Sequence, residues 1–343
     1  MNRRIPVRYF ILPVICFVNI SCIIKNYTSS IDNASMQEIT THIRFLASDE
    51  LKGRKVGQPE TKIAARYIAE QFRAAGLKPF ASIPGYLQKT EFDIDGRLVS
   101  CNNVVGYIEG SNPELKEEFV LLCAHYDHLG VEYNIDKPDC DSIFNGARDN
   151  AMGTTALIYA AKELSKSISE RSLIFLATTG EEEGMLGSEY FVAHSPVSID
   201  SIVFVLNNDG GGFNDTSNIR IGGKNKILFH PDFWNVTIKY GIECLAYPVD
   251  LEYLYERGDN ITFANRGIPS IIVSPGFEKI DERILKYVHK PTDEVDDNFD
   301  FEYLLKFSMS YRDLALSIAN SKTIPSWSPD SNYSFIQANV PFR

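Results

Sequence analysis

Short apolar runs of strand length alternate with helical patterns along most of the chain. The runs at 119–124, 172–178 and 201–206 are apolar at nearly every position, as expected of strands covered on both faces of a sheet. Further strands are predicted at 103–108 and 269–274, and helices at 36–46, 59–75, 153–164 and 300–319. This alternation predicts a three-layer α/β/α fold, in which helices cover both faces of a mixed, mainly parallel central sheet.

Residues that bind metals or move protons follow these predicted strands. They stand directly after the strand runs or in the loops beyond them: His125, Asp149, Glu181, Glu182, Asp209 and His289. The carboxyl ends of parallel strands meet at one edge of a sheet, where open α/β folds place their chemistry. Singly, each residue has an ordinary explanation, because acidic runs are usually solvated and an aspartate before a helix usually caps it. Together they provide two imidazoles, three carboxylate ligands and a spare carboxylate, which suits a pair of divalent cations, with zinc favoured by the histidines.

The size and charge of the chain limit its organisation and its partners. The chain has 343 residues, of which 44% are hydrophobic, and its net charge is −11. No basic stripe that could neutralise phosphates is visible, so we expect no nucleic-acid partner. No internal repeat or linker divides the sequence. We therefore predict a single domain over residues 36–320, with a C-terminal tail over 321–343 that packs on it.

The first 22 residues have the pattern of an export signal. Arginines at the start precede an apolar stretch over residues 9–20, which is shorter than the ~20 residues needed to span a bilayer. Cys22 follows Ser21 at the end of this stretch, an arrangement similar to the cleavage site of a bacterial lipoprotein. We predict a signal peptide over 1–22 that is cleaved before Cys22, followed by a polar tether over 23–35. The protein is then expected in the periplasm or cell envelope, in contact with the membrane only through a lipid on Cys22.

Several short motifs follow one another in a recognisable order. They are Leu51-Lys52-Gly53-Arg54, His125-x-Asp127-His128, Gly146-Ala147-x-Asp149-Asn150-Ala151, Glu181-Glu182-x-Gly184-x-x-Gly187-Ser188, Asn207-x-Asp209 and His289-x-Pro291-x-Asp293. This order and spacing resembles the M28 family of zinc-dependent exopeptidases, an aminopeptidase clan with a phosphorylase/hydrolase-like α/β fold. The likeness covers about residues 46–319. It implies a metallopeptidase that acts on peptides.

Position by position, the resemblance implies a site with two zinc ions that share Asp149. One zinc would also be bound by His125 and Asp209, and the other by Glu182 and His289. A water held between two divalent cations becomes acidic enough to supply hydroxide near neutral pH.

The resemblance also implies roles for two carboxylates that do not bind metal. Glu181 would be the general base, since a carboxylate must take the proton of the water and deliver it to the leaving amine. Asp127 would lie outside the metal coordination and orient His125. Glu183 receives no role and is expected to be a solvated acidic residue.

Some positions depart from the family pattern. Met152 replaces a small residue, and the glycines at 210–212 follow Asp209 where bulkier residues are usual. The segment 258–260 has the sequence Gly-Asp-Asn where a Ser-Asp-His-like sequence often occurs. Val288 stands directly before the last histidine, where a tyrosine is common, so no oxyanion-stabilising tyrosine is assigned.

Other functions are compatible with the same motifs. A glutaminyl cyclase would use one zinc and no hydrolytic water, but the two histidines and the intact Glu181-Glu182 pair favour a hydrolase with two zinc ions. A binding relative without activity would be expected to lack ligands, and none is missing. Among peptidases, an aminopeptidase is favoured over a carboxypeptidase, because no basic pocket for a C-terminal carboxylate is evident. The preferred substrate side chain and the oligomeric state stay open.

Overall fold

The computed structural model describes residues 33–133 and 140–334 of the protein. The predicted signal peptide, most of the predicted tether and the end of the tail, 335–343, lie outside these residues. The described residues belong to one compact unit that begins at Asn33. None of the helices in the described ranges has both the length and the hydrophobicity that a bilayer crossing requires.

The strands alternate with the helices along the chain. The strands are β1 (Leu87–Ile94), β2 (Arg97–Ile108), β3 (Phe119–His125), β4 (Gly130–Val131), β5 (Ile143–Phe144), β6 (Ser172–Thr178), β7 (Ile202–Asn208), β8 (Asn218–Gly222), β9 (Ile227–Leu228), β10 (Glu243–Ala246), β11 (Ser270–Pro275) and β12 (Ser326–Trp327). The α-helices are α1 (Asn33–Leu46), α2 (Pro59–Ala74), α3 (Met152–Leu164), α4 (Leu186–Ala193), α5 (Asn260–Ala264), α6 (Glu282–Leu285) and α7 (Phe301–Ala319).

Eight of these strands form the central sheet, in the spatial order β1-β2-β6-β3-β7-β11-β8-β10. The four central strands, β6, β3, β7 and β11, are parallel to one another. The β1–β2 hairpin joins β6 in antiparallel orientation, and β8 joins β11 in the same way. The predicted α/β fold with a mixed central sheet is therefore confirmed.

Helices cover both faces of this sheet because its central strands are apolar on both sides. All seven residues of β3 are buried. Phe119, Leu121 and Cys123 pack into one core with Phe191 of α4 and Phe263 of α5. Alternate residues of a strand point to opposite faces, so the remaining residues of β3 face α3 and α7, which pack on this strand and on one another.

Local signals explain where several elements begin. Pro59 occupies the first turn of α2, where its missing N–H costs nothing. The side chain of Asp300 caps α7 by accepting a hydrogen bond from the backbone N–H of Tyr303 at 2.8 Å. Helix α1 begins at Asn33, so the last residues of the predicted tether are already helical.

The first part of the C-terminal tail packs on the domain. Strand β12 pairs with β9, and the Nε1–H of Trp327 donates to the carbonyl oxygen of Gly267 at 2.9 Å. Trp327 is buried, so the tail extends the core up to this point.

Candidate active site

The site lies at the carboxyl ends of the parallel strands β6, β3 and β7. His125 is the last residue of β3 and pairs in register with Thr178, the last residue of β6. The start of α3 is tied to these strand ends, because the Thr154 hydroxyl donates to the carbonyl oxygen of His125 at 2.7 Å. Asn150 Nδ2 donates to the carbonyl oxygen of Asn208, the last residue of β7, at 2.8 Å. These bonds place Asp149 over the edge of the sheet.

The two carboxylate oxygens of Asp149 face two different histidines. Oδ1 lies 3.3 Å from Nε2 of His125, and Oδ2 lies 3.2 Å from Nε2 of His289. Each histidine also faces a second carboxylate. His125 Nε2 is 3.4 Å from Oδ1 of Asp209, and His289 Nε2 is 3.3 Å from Oε2 of Glu182. The structure therefore brings together all the residues for which the sequence predicted metal binding, in two halves that meet at Asp149.

Hydrogen bonding and burial change the acidity of these groups. Burial alone would raise the pKa of Asp149, but hydrogen bonds to His125 and His289 outweigh it and hold that pKa well below its usual range. Hydrogen bonds to Asp149 and Glu182 raise the pKa of His289 to about 10. The ionised form of Asp149 is thus stabilised by groups that lie against both of its oxygens.

This donor set fits divalent cations. His125, Asp149 and Asp209 can each offer an atom within 4.8 Å of the others, and a second group contains Asp149 and Glu182. Several carboxylates in a water-poor site repel one another unless a cation lies among them. Imidazole and carboxylate donors together are typical of zinc, and Asp149 belongs to both groups of possible ligands.

His128 is a member of the site to which the sequence analysis assigned no role. Its Nδ1 lies 2.6 Å from Oε1 of Glu182, and it groups with Asp149 and Glu182 as a possible ligand. An ionised carboxylate only accepts hydrogen bonds, so Nδ1 must carry the hydrogen. This bond occupies Oε1 and leaves Oε2 of Glu182 facing His289. The position of His128, directly after His125-x-Asp127, was the signal that could have revealed it.

Asp127 lies beside the ring of His125. The Nδ1 atom of His125 is 3.2 Å from the backbone carbonyl oxygen of Asp127 and 3.9 Å from its carboxylate. The carboxylate also accepts a hydrogen bond from the backbone N–H of Glu181 at 3.3 Å. Burial raises the pKa of Asp127 to about 7. Asp127 thus contacts the Nδ1 edge of the His125 ring, opposite the Nε2 atom that faces Asp149, and links that histidine to the start of the acidic run.

The three consecutive glutamates point in different directions. Glu181 and Glu182 line the site cavity, whereas Glu183 is exposed and its carboxylate lies 3.8 Å from Nζ of Lys55. Burial raises the pKa of Glu181 well above its usual range, and the charges of Asp209 and Asp259 raise it further, against the opposite effect of His125. Glu181 is therefore a carboxyl group suited to hold a proton.

Arg54 holds the loop that leads to Asp149. This arginine is fully buried, and its guanidinium donates to the backbone carbonyl oxygens of Leu46, Tyr126, Asn145 and Gly146. The donated bonds tie the residues before and after the site strand β3 together through their backbone carbonyl groups. The predicted motif at residues 51–54 therefore has a structural role behind the site.

The cavity next to these residues has a volume of about 630 Å³. Its remaining walls are largely apolar: Met185, Leu254, Phe277, Ile280, Ile284 and Val288 line it. The glycines at 210–212 form part of the wall. A Cβ at Gly211 would lie 2.8 Å from Cγ2 of Val288, so the glycine and the valine that depart from the family pattern fit one another.

The fold and the site define an α/β protein of the zinc exopeptidase type with a candidate site for two metal ions. Residues 103–310 match the sequence model of Peptidase family M28, which is more than half of the chain. The chain therefore belongs to peptidase family M28, as the motifs predicted.

Two curated relatives match over shorter stretches. The chain is 33% identical over 127 residues to the vacuolar membrane protease of Saccharomyces cerevisiae. This matched stretch covers 35% of the chain and 12% of that protein. It is 29% identical over 147 residues to the alkaline phosphatase isozyme conversion protein of Escherichia coli, which covers 40% of each. The matched stretches thus span less than half the length of either relative.

Solved structures show the same fold at low sequence identity. BSAP, a zinc aminopeptidase from Bacillus subtilis, is similar with a TM-score of 0.61 and 15% identity over 87% of this chain and 97% of that chain. A glutaminyl cyclase from Bacteroides thetaiotaomicron is similar with a TM-score of 0.57 and 18% identity over 84% of this chain and 98% of that one. The predicted zinc exopeptidase fold is confirmed.

Proposed function

We propose that this protein is a zinc-dependent aminopeptidase that removes N-terminal residues from peptides and holds two zinc ions. Family membership and the aminopeptidase-like fold support a hydrolase of this class. The observation that carries the proposal is the position of Asp149, whose two oxygens face two separate histidine–carboxylate pairs. A site for one metal ion would need only one of these histidine–carboxylate pairs.

The residues divide the work of hydrolysis in the following way. Two zinc ions held by the donor set would act as Lewis acids toward the scissile carbonyl and a water molecule. Glu181 takes a proton from that water and returns it to the amine of the departing peptide. Burial raises the pKa of Glu181, and this strengthens it as the proton acceptor in the first transfer. The adjacent cavity, with its apolar wall, receives the N-terminal residue.

A glutaminyl cyclase is the second candidate, because a cyclase shares this fold with a TM-score of 0.57. A cyclase with one zinc would need only one histidine–carboxylate pair. The presence of His125 and His289 on opposite oxygens of Asp149 favours the hydrolase. The metal content therefore separates the two functions.

The test uses purified full chain loaded with zinc. It measures the release of the aniline product from a panel of aminoacyl anilides. The N-acetylated anilides are the controls, and a peptide with N-terminal glutamine is the cyclisation substrate. We expect release from free but not acetylated compounds, together with two zinc ions per chain by elemental analysis. Cyclisation of the glutamine peptide with a single zinc would instead identify a cyclase.

We further propose that the protein is exported and anchored in the cell envelope through a lipid on Cys22. The leader sequence over residues 1–22 supports this proposal. A peptidase in this position would act on peptides outside the cytoplasm.

A further inference from the structure

Arg148 is a buried cation in the loop that carries Asp149. Its side chain is 4% exposed, and a buried guanidinium is costly unless it is paired and hydrogen-bonded. Nη1 donates to Oδ1 of Asp293 at 3.1 Å and to the carbonyl oxygen of Glu294 at 3.0 Å. The backbone N–H groups of Arg148 and Asp149 also donate to the carboxylate of Asp293. Two loops that are distant in sequence are thus joined next to the site.

The same guanidinium stacks on an aromatic ring. Its Cζ atom lies 3.6 Å from the ring centroid of Tyr287 and 5.0 Å from that of Phe299. A planar guanidinium can stack through its face while its edge donates hydrogen bonds, which a lysine ammonium cannot do. Arg148 therefore contacts the loop over residues 287–293 at two points, the carboxylate of Asp293 and the ring of Tyr287.

His289 lies in the segment between Tyr287 and Asp293, the two residues that the Arg148 side chain contacts. The side chain of His289 is 49% exposed, and its backbone has a φ of 53°, in the left-handed region that a histidine seldom adopts. A tight turn surrounds it, since the backbone N–H of Lys290 donates to the carbonyl oxygen of Tyr287 at 3.0 Å. The ring of His289 is half exposed, and its backbone is in an unfavourable conformation. The position of this ring therefore depends on contacts made by the neighbouring residues of the turn. Tyr287 is the residue of this turn that Arg148 holds.

We propose that Arg148 is a positioning residue for one half of the metal site. Its stack on Tyr287 fixes the turn that presents His289 to Oδ2 of Asp149. This role rests on the proposed two-zinc function. The competing explanation is that Arg148 only neutralises Asp293 and stabilises the fold, as buried ion pairs do without any effect on a distant side chain.

The test measures the affinity of the full chain for each of two zinc ions by competition with a chelator, together with thermal unfolding. Tyr287→Leu removes the stack and leaves the buried ion pair. We expect it to weaken one of the two zinc sites by about ten- to hundredfold, the usual effect of losing a group that orients a ligand. Arg148→Met is expected to weaken the same site at least as much. Tyr287→Phe keeps an aromatic face and is expected to retain both sites.

Arg171 provides a matched control. Its side chain is 3% exposed and it pairs with Glu118 at 2.6 Å, away from the site. Arg171→Met is expected to lower the melting temperature and to leave both zinc affinities unchanged.

The outcomes separate this inference from the function on which it rests. If the wild-type chain binds two zinc ions but Tyr287→Leu and Arg148→Met also bind both with wild-type affinity, the positioning role is wrong. It is equally wrong if either variant weakens both sites in parallel with its loss of stability. A wild-type chain that binds fewer than two ions contradicts the proposed function itself. Should Arg148→Met fail to fold, Tyr287→Leu decides alone.

Discussion

The Nδ1 atom of His128 lies 2.6 Å from Oε1 of Glu182, so this histidine determines which carboxylate oxygen faces His289. The imidazole is buried, and its Nε2 has no hydrogen-bond partner among the described residues. The hydrogen bond between His128 and Glu182 therefore fixes the orientation of the Glu182 carboxylate, a predicted metal ligand.

Replacement of His128 should loosen that ligand. His128→Ala is expected to weaken one of the two zinc sites by about ten- to hundredfold, because Glu182 can then rotate. His128→Asn keeps an N–H donor near the position of Nδ1 and is expected to retain most of the affinity. Chelator competition measures both variants. Equal losses in both variants would mean that the ring acts in another way, such as by binding the metal itself.

Replacement of the adjacent residues Glu181 and Glu182 should have different effects on kcat and on zinc binding. Glu181→Gln keeps the shape of the side chain and removes the proton acceptor, so kcat is expected to fall by about a hundredfold or more with two zinc ions still bound. The loss should appear in kcat more than in KM, because the group acts in the transition state. Glu182→Gln should weaken one zinc and recover part of its activity in excess zinc. A Glu181 variant that loses metal while the Glu182 variant keeps it would reverse the assignment.

The predicted ligands should differ in how many ions they hold. Asp149→Ala is expected to reduce the affinity for both zinc ions, because its two oxygens face different histidines. His289→Ala and Asp209→Ala should each mainly empty one site. Elemental analysis after dialysis gives the zinc content of each variant. Asp232→Ala, at an exposed aspartate outside the site, is the control and should retain both ions. An Asp149 variant that keeps one ion tightly bound would contradict a shared carboxylate.

Gly211 and Val288 should be coupled in stability. Gly211→Ala introduces a methyl group 2.8 Å from Cγ2 of Val288, and overpacking of this kind typically costs about 1–3 kcal/mol. Val288→Ala in the same chain makes room for it, so the double variant should be destabilised less than the sum of the two single changes. Urea unfolding of the four chains measures this difference. Additive effects would show that the two side chains do not compete for space.

Membrane attachment should depend on one cysteine of the leader. Cys22→Ser is expected to move the protein from the membrane fraction to the soluble fraction, because the predicted lipid cannot be attached. A firm anchor needs more than a single myristoyl-sized chain, so the expected modification carries several acyl chains. Cys16→Ser alters another cysteine of the same leader and should leave attachment unchanged. If the Cys22 variant remains membrane-bound, the lipoprotein prediction is wrong, although export by itself could still hold.

The class of fold and the chemical types of the site residues follow from the amino-acid sequence alone. A strand that is apolar at every position, such as 119–124, must be covered on both faces of its sheet, and this requirement is local to each run. Because parallel strands end at one edge of a sheet, the residues at their ends, such as His125 and Asp209, are predicted to meet there. Family motifs then assigned a metal site to that edge.

Which atoms of these residues face one another depends on how the sheet and its loops come together in three dimensions. The motifs give Asp127 the role of orienting His125, but they give no role to His128, whose partner Glu182 follows a different strand. The stack of Arg148 on Tyr287 joins two loops that no local pattern connects. Such contacts arise when the sheet and its loops close in three dimensions, so they depend on side-chain direction and distance, which hydrophobic periodicity and motif spacing do not contain.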